Sequence, residues 1–157
     1  MRPMGHASAV LVLGLGFLLP LALDAAELSD QQVLEILSQE QPRDRAIRRG
    51  LAWLRTAQRP TGAVGDQHPV ALSAMAIMAH LSAGITFADP EHGAWLGKSL
   101  RYVLDQQNRD GYFGQKDNSR MYGHGIITLM LAEALGMIRD EELEEQVRTA
   151  LERAVAV

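Results

Sequence analysis

A chain of 157 residues with 47% apolar and 22% charged residues is long enough for about one folded domain with its own core. Its net charge of −4 excludes the basic stripe of a nucleic-acid binder; only Arg43, Arg45, Arg48 and Arg49 cluster, and they read as a solvated helix face. The lack of cysteine excludes disulfides, thiolate metal sites and a cysteine nucleophile.

Residues 1–26 read as a secretory leader. Arg2 and His6 precede an apolar run over residues 7–23, and Ala25 and Ala26 supply small residues after it. The run is short for a membrane span. Left uncleaved it would be an anchor, the one membrane contact expected. Either way the chain is expected to be exported, to the periplasm, the cell envelope or the medium. Residues 27–42 form a leading helix, with Ser29 or Asp30 as its cap and Val33, Leu34 and Leu37 as its apolar stripe, until Pro42 breaks the pattern.

Residues 43–58 predict an amphipathic helix. Ala46, Ile47, Gly50, Leu51, Trp53 and Leu54 share one side, and Arg45, Arg48, Arg49 and Arg55 the other. Gly62 closes the turn that follows. His68-Pro69 opens a second helix over residues 70–83, apolar almost all round and so expected to be buried on most faces, stopped by Gly84. A connector with Asp89, Pro90 and Glu91 follows, its acids read as solvated. Then the order returns: an amphipathic helix over 95–107, a glycine loop over 108–114, an apolar helix over 126–135 entered through Tyr122-Gly123-His124-Gly125, and Gly136 as the stop. Asp140 opens a third amphipathic helix, and residues 150–157 mirror residues 46–53. The third unit is incomplete. It predicts exposed core residues, and a chain that is a fragment of a longer repeat protein.

The repetition is quantitative. Leu51, Trp53, Gln58, Gly62 and Gly65 match Leu100, Tyr102, Gln107, Gly111 and Gly114 at a constant shift of 49. A helix-end glutamine can donate to nearby orphan carbonyls and accept from the next helix's amides, while Gly111 permits the positive φ of a reversal, with Tyr102 and Phe113 packed beneath. These are stability roles for Trp53, Gln58, Gly62, Tyr102, Gln107, Gly111 and Phe113.

Gly50-x-x-Trp53-Leu54-x-x-x-Gln58-x-x-x-Gly62 resembles the QW repeat of squalene and hopene cyclases and of the related protein prenyltransferases. Lys98-Ser99-x-x-Tyr102-Val103-x-x-x-Gln107-x-x-x-Gly111-x-Phe113 is a looser copy. The motif's terminal Trp is replaced by Val64 and Phe113. The resemblance implies an all-α chain folded as part of an α/α-toroid, with outer amphipathic and inner apolar helices alternating over residues 43–157. It also says what is missing. The cyclases' Asp-x-Asp-Asp acid does not occur. The prenyltransferases' zinc site needs a cysteine, as does the Gly-Cys-Gly-Glu-Gln sequence of the thioester proteins that share the toroid.

For ligand binding, the candidates are His68, Tyr122, His124 and Glu133. Both histidines stand near the start of an apolar helix, facing the cavity a toroid would enclose. Glycines flank His124, and an acid on a nearly apolar helix must face solvent, a cavity or a partner. His80 reads as a satisfied core histidine, and Met75, Met78, Met121, Met130 and Met137 as adaptable packing. The sequence thus predicts an exported, non-catalytic binding or scaffold module for an isoprenoid-like, glycan or peptide ligand, with no cofactor. The alternative is a cyclase-like enzyme whose acid motif lies outside this chain.

Overall fold

The computed structural model describes residues 29–38 and 41–157; the leader lies outside the described residues. The described residues fall into two units, 29–38 and 41–157. In the first, helix α1 (Asp30–Ser38) begins at a capping box: the Ser29 hydroxyl accepts from the Gln32 amide at 3.3 Å, and the Gln32 side chain accepts from the Ser29 amide at 2.9 Å. Val33, Leu34 and Ile36 are exposed on it.

The second part holds α2 (Pro42–Thr56), α3 (Pro69–Ser82), α4 (Gly93–Leu104), α5 (Arg120–Ala134) and α6 (Glu141–Val155). No strand occurs among the described residues, only a bridge between Gln58 and Val64. Pro42 does not interrupt a helix but starts one, in the first turn, where its missing N–H costs nothing. Asp140 caps α6 by accepting from the Leu143 amide at 3.2 Å. The apolar helices α3 and α5 pack on each other; α4 lies against α3, α6 against α5, and α2 more lightly on α3. Ile77, Leu96, Leu100, Phe113, Ile127, Met130 and Leu131 are fully buried between them.

Both turns are built alike. Gly62, Gly65, Gly111 and Gly114 all have positive φ. The Gln58 amide group donates to the Trp95 carbonyl of α4 at 2.9 Å and to the Ser99 hydroxyl at 2.7 Å. The Gln107 amide group donates to the Ala150 carbonyl of α6 at 2.8 Å and to the Gly111 carbonyl at 2.9 Å. Each glutamine therefore fastens its turn to a carbonyl of the next amphipathic helix, not to that helix's amides. Gly62 rides on α4 so closely that a Cβ would lie 2.5 Å from the Lys98 carbonyl oxygen, and Gly111 meets the Arg153 carbonyl of α6 in the same way. Trp95 and Lys98 therefore correspond to Ala150 and Arg153. The second period is 55 residues, against 49 for the first.

Three sequence expectations are corrected. The predicted apolar side of α2 is mostly uncovered: Leu51 is its one buried residue, while Trp53 is 66% and Ile47 46% exposed. Helix α5 starts at Arg120, so Tyr122-Gly123-His124-Gly125 lies inside its first turns rather than before them. Gly123 is there for close packing, since a Cβ would collide with the Ser119 side chain and touch Ala71 of α3 at 3.7 Å. The inner helices are also less enclosed than expected, with Leu72, Met75, Met121, Tyr122 and Leu129 exposed; at the end of α6, where exposed core residues are expected, Val155 and Val157 are exposed.

His80 of α3 is fully buried and only half satisfied. Its Nδ1 donates to the Ala76 carbonyl at 2.8 Å; its Nε2 has no hydrogen-bond partner among the described residues. Its ring lies against Trp95, 4.6 Å between centroids, and 5.6 Å from His92, which pairs with Asp89 at 3.0 Å. Burial lowers the His80 pKa, and the nearby His92 and Arg55 lower it further against the opposing Ala76 hydrogen bond. The unfolded chain therefore takes up this proton before the folded one. Stability is expected to fall as pH drops below about 6.5, the ordinary histidine value, and to stop falling on this account below the folded pKa. Urea midpoints between pH 7.5 and 5.5 should show that loss, and His80→Leu should flatten it. An unchanged slope in the variant would assign the effect elsewhere.

Candidate binding groove at the entrances of α3 and α5

The first turns of α3 and α5 lie side by side, joined by the loop after Gly114. Asp117 in that loop caps α3 from a distance: one carboxylate oxygen accepts from the Val70 and Ala71 amides at 3.0 and 3.2 Å. The other accepts from the Ser119 hydroxyl at 2.6 Å and amide at 3.0 Å. Burial pushes the Asp117 carboxyl up, but the hydrogen bonds from Ser119, Ala71 and Val70 outweigh it and hold the pKa below its ordinary value. The carboxylate is thus a fixed negative charge at the N-terminus of α3, where the helix dipole favours one.

His68 is tied to the same loop, its Nδ1 donating to the Asp117 carbonyl at 2.9 Å, which leaves Nε2 as an acceptor at an exposed position. Around this junction stands a groove of about 600 Å³. Ala71, Leu72, Met75 and Ile126 line its apolar part; His68, Asn118, Arg120 and Tyr122 form the rim. Tyr122 is 87% exposed. Among the described residues, three non-glycines have positive φ: His68 at 49°, Asn118 at 57° and Arg120 at 55°. All three line this groove. Backbone held in that region costs of order 1–3 kcal/mol per residue and tends to gather at functional sites.

Of the sequence candidates, the structure brings His68 and Tyr122 together. His124 sits apart from the groove lining, 7% exposed. Its Nδ1 accepts from the Phe113 amide at 3.2 Å, and its ring stacks on Tyr112 at 5.1 Å. That work parallels Ser73, whose hydroxyl accepts from the Val64 amide at 2.9 Å in the first repeat. Glu133 is exposed near the other end of α5, about 16 Å along the helix from Tyr122. Asn118, Arg120 and Asp117 were not picked out from the sequence; Asp117-Asn118-Ser119 is a turn-forming string that carried the signal. The connector acids are not simply solvated either: Asp89 accepts from the His92 amide at 2.7 Å, and Glu91 pairs with Arg55 of α2 at 2.5 Å.

Among the described residues no group of three His, Asp or Glu side chains is placed to hold a metal ion, and no helix is long and apolar enough to cross a membrane. Comparison of the chain with protein-family models, curated proteins and solved structures finds no match.

Proposed function

We propose that this chain is an exported α/α-toroid repeat segment related to the prenyltransferase and squalene-cyclase repeats, and that it binds a ligand rather than transforming one. The twin Gln-x-x-x-Gly turns and the alternation of amphipathic and apolar helices support the repeat reading. The binding reading rests on one observation: an apolar groove at the entrances of α3 and α5, rimmed by all three left-handed non-glycine residues described. Its lining suits an apolar or amphiphilic body, with His68 Nε2, Arg120 and the Tyr122 hydroxyl offering hydrogen bonds at the mouth. Aromatic faces, which a carbocation-forming cyclase needs, are few at 5% of residues.

The test is a fluorescence titration of the full chain with anilinonaphthalene sulfonate, an apolar anionic probe, followed by competition with geranylgeraniol, a maltoside and an apolar peptide. Saturable binding is expected, with at least tenfold loss in Leu72→Asp and in Tyr122→Ala, and no change in Glu133→Ala. Both altered positions are exposed, so circular dichroism should show an intact fold. Absence of saturation, or equal binding by Leu72→Asp, would overturn the reading.

A further inference from the structure

The repeats define a docking rule that one helix leaves unused. On α4 the seat for the first turn is Trp95, whose carbonyl takes Gln58, Lys98, whose carbonyl lies under Gly62, and Ser99, whose hydroxyl donates to the Gly62 carbonyl at 2.9 Å. Tyr102 flanks it, its Cβ 3.1 Å from where a Gly62 Cβ would be. On α6 the matching seat is Ala150, Arg153 and Ala154. There the Arg153 guanidinium also donates to the Asn108 and Arg109 carbonyls of the seated turn, at 2.6 and 3.0 Å. The seats share a pattern: a carbonyl that accepts from the glutamine, then Lys or Arg three residues on, then a small residue next to it.

Helix α2 carries the same pattern at the same repeat positions. Ala46, Arg49 and Gly50 lie 49 residues before Trp95, Lys98 and Ser99, and Trp53 stands where Tyr102 does. These residues sit at i, i+3, i+4 and i+7, one face of a helix. Among the described residues this face is open: residues 45–50 are exposed, a Cβ on Gly50 would meet nothing within 4 Å, and Trp53 is 66% exposed. Both Gln-Gly turns of the chain are already seated, on α4 and α6. A second copy of residues 41–157 would therefore bring no free turn to fill this place.

We infer that the face of α2 formed by Ala46, Arg49, Gly50 and Trp53 is a docking socket for the Gln-x-x-x-Gly helix-end turn of another polypeptide. The incoming glutamine donates to the Ala46 carbonyl, its glycine rides over Arg49, the Arg49 guanidinium reaches the turn's carbonyls as Arg153 does, and Trp53 covers the side. This assignment is independent of what the α3–α5 groove binds.

The probe is a fluorescein-labelled, lactam-stapled peptide of residues 93–114, in which Gln107 and Gly111 stand free, titrated into the full chain and read by anisotropy. Saturable binding with a Kd below about 1 mM is expected. Gly50→Leu in the chain should weaken it at least tenfold, as should Gln107→Ala in the peptide. Leucine at Gly50 points into open space and is the better helix former, so the variant keeps its fold, checked by circular dichroism. A flat titration to 1 mM overturns the assignment. So does equal affinity for Gly50→Leu, which would place the peptide on α4 or α6. Sedimentation showing that the chain alone covers this face by self-association overturns it as well.

Discussion

Phe113→Ala is expected to lower the unfolding free energy by about 4 kcal/mol, read from urea midpoints at constant m-value. Phe113 is fully buried and stands first by volume among the fully buried side chains. It fills the space beneath the second turn, packed in the common core with Leu100, Val103 and Ile127. Removing the ring leaves a cavity in a core that α4 and α5 share, and such sites relax poorly. The effect should also show which repeat carries more of the core. Val64 occupies the matching place in the first turn, also buried, and Val64→Ala should cost only about 2 kcal/mol because less surface returns to water. A loss under about 2 kcal/mol for Phe113→Ala would mean that the ring is not the keystone the geometry makes it.

Gly111→Ala is expected to cost about 3 kcal/mol, for two separable reasons. Its φ of 92° is strained for any residue with a Cβ, worth roughly 1–2 kcal/mol. The new methyl also meets the Arg153 carbonyl of α6, forcing the turn off its seat at a further cost of about 1–3 kcal/mol. Gly136 separates the two contributions. Its φ of 84° is similar, but a Cβ there would find nothing within 4 Å. Gly136→Ala should therefore cost only the backbone part, about 1 kcal/mol. If both variants lost the same amount, the contact between turn and α6 would carry no energy, and the seat described for Gly62 on α4 would lose its basis too.

Much of the helical order was legible because glutamine and glycine serve the backbone, and the backbone's needs repeat with the fold. Gln58, Gln107 and the four turn glycines could be aligned without structure. Their acceptors could not, because a main-chain carbonyl has no residue signature: nothing in Trp95 or Ala150 announces that it receives an amide. The equivalence of Ser73 and His124 was hidden for a related reason. Two unlike side chains do one job, and the spacing has already slipped from 49 to 51 by that point. Amphipathicity marked the apolar side of α2 correctly, but a pattern states which face is oily and not whether anything covers it, so Trp53 and Ile47 were expected inside. In Tyr122-Gly123-His124-Gly125 the glycines around His124 read as room for a ligand or a neighbouring helix, and Gly123 does lie close to Ala71 of α3. At the groove, His68 and Tyr122 were accessible from their position, while Asn118 and Arg120 became visible only through their backbone angles.

The reach of each glutamine also sets a timetable for synthesis. Gln58 waits for a carbonyl 37 residues downstream and Gln107 for one 43 residues downstream. At ribosomal speeds of about 5–20 residues per second, each turn leaves the exit tunnel roughly 2–9 s before its latch exists. Each of the two turns is thus sealed by a helix made after it, and the first latch can close before the second turn is made.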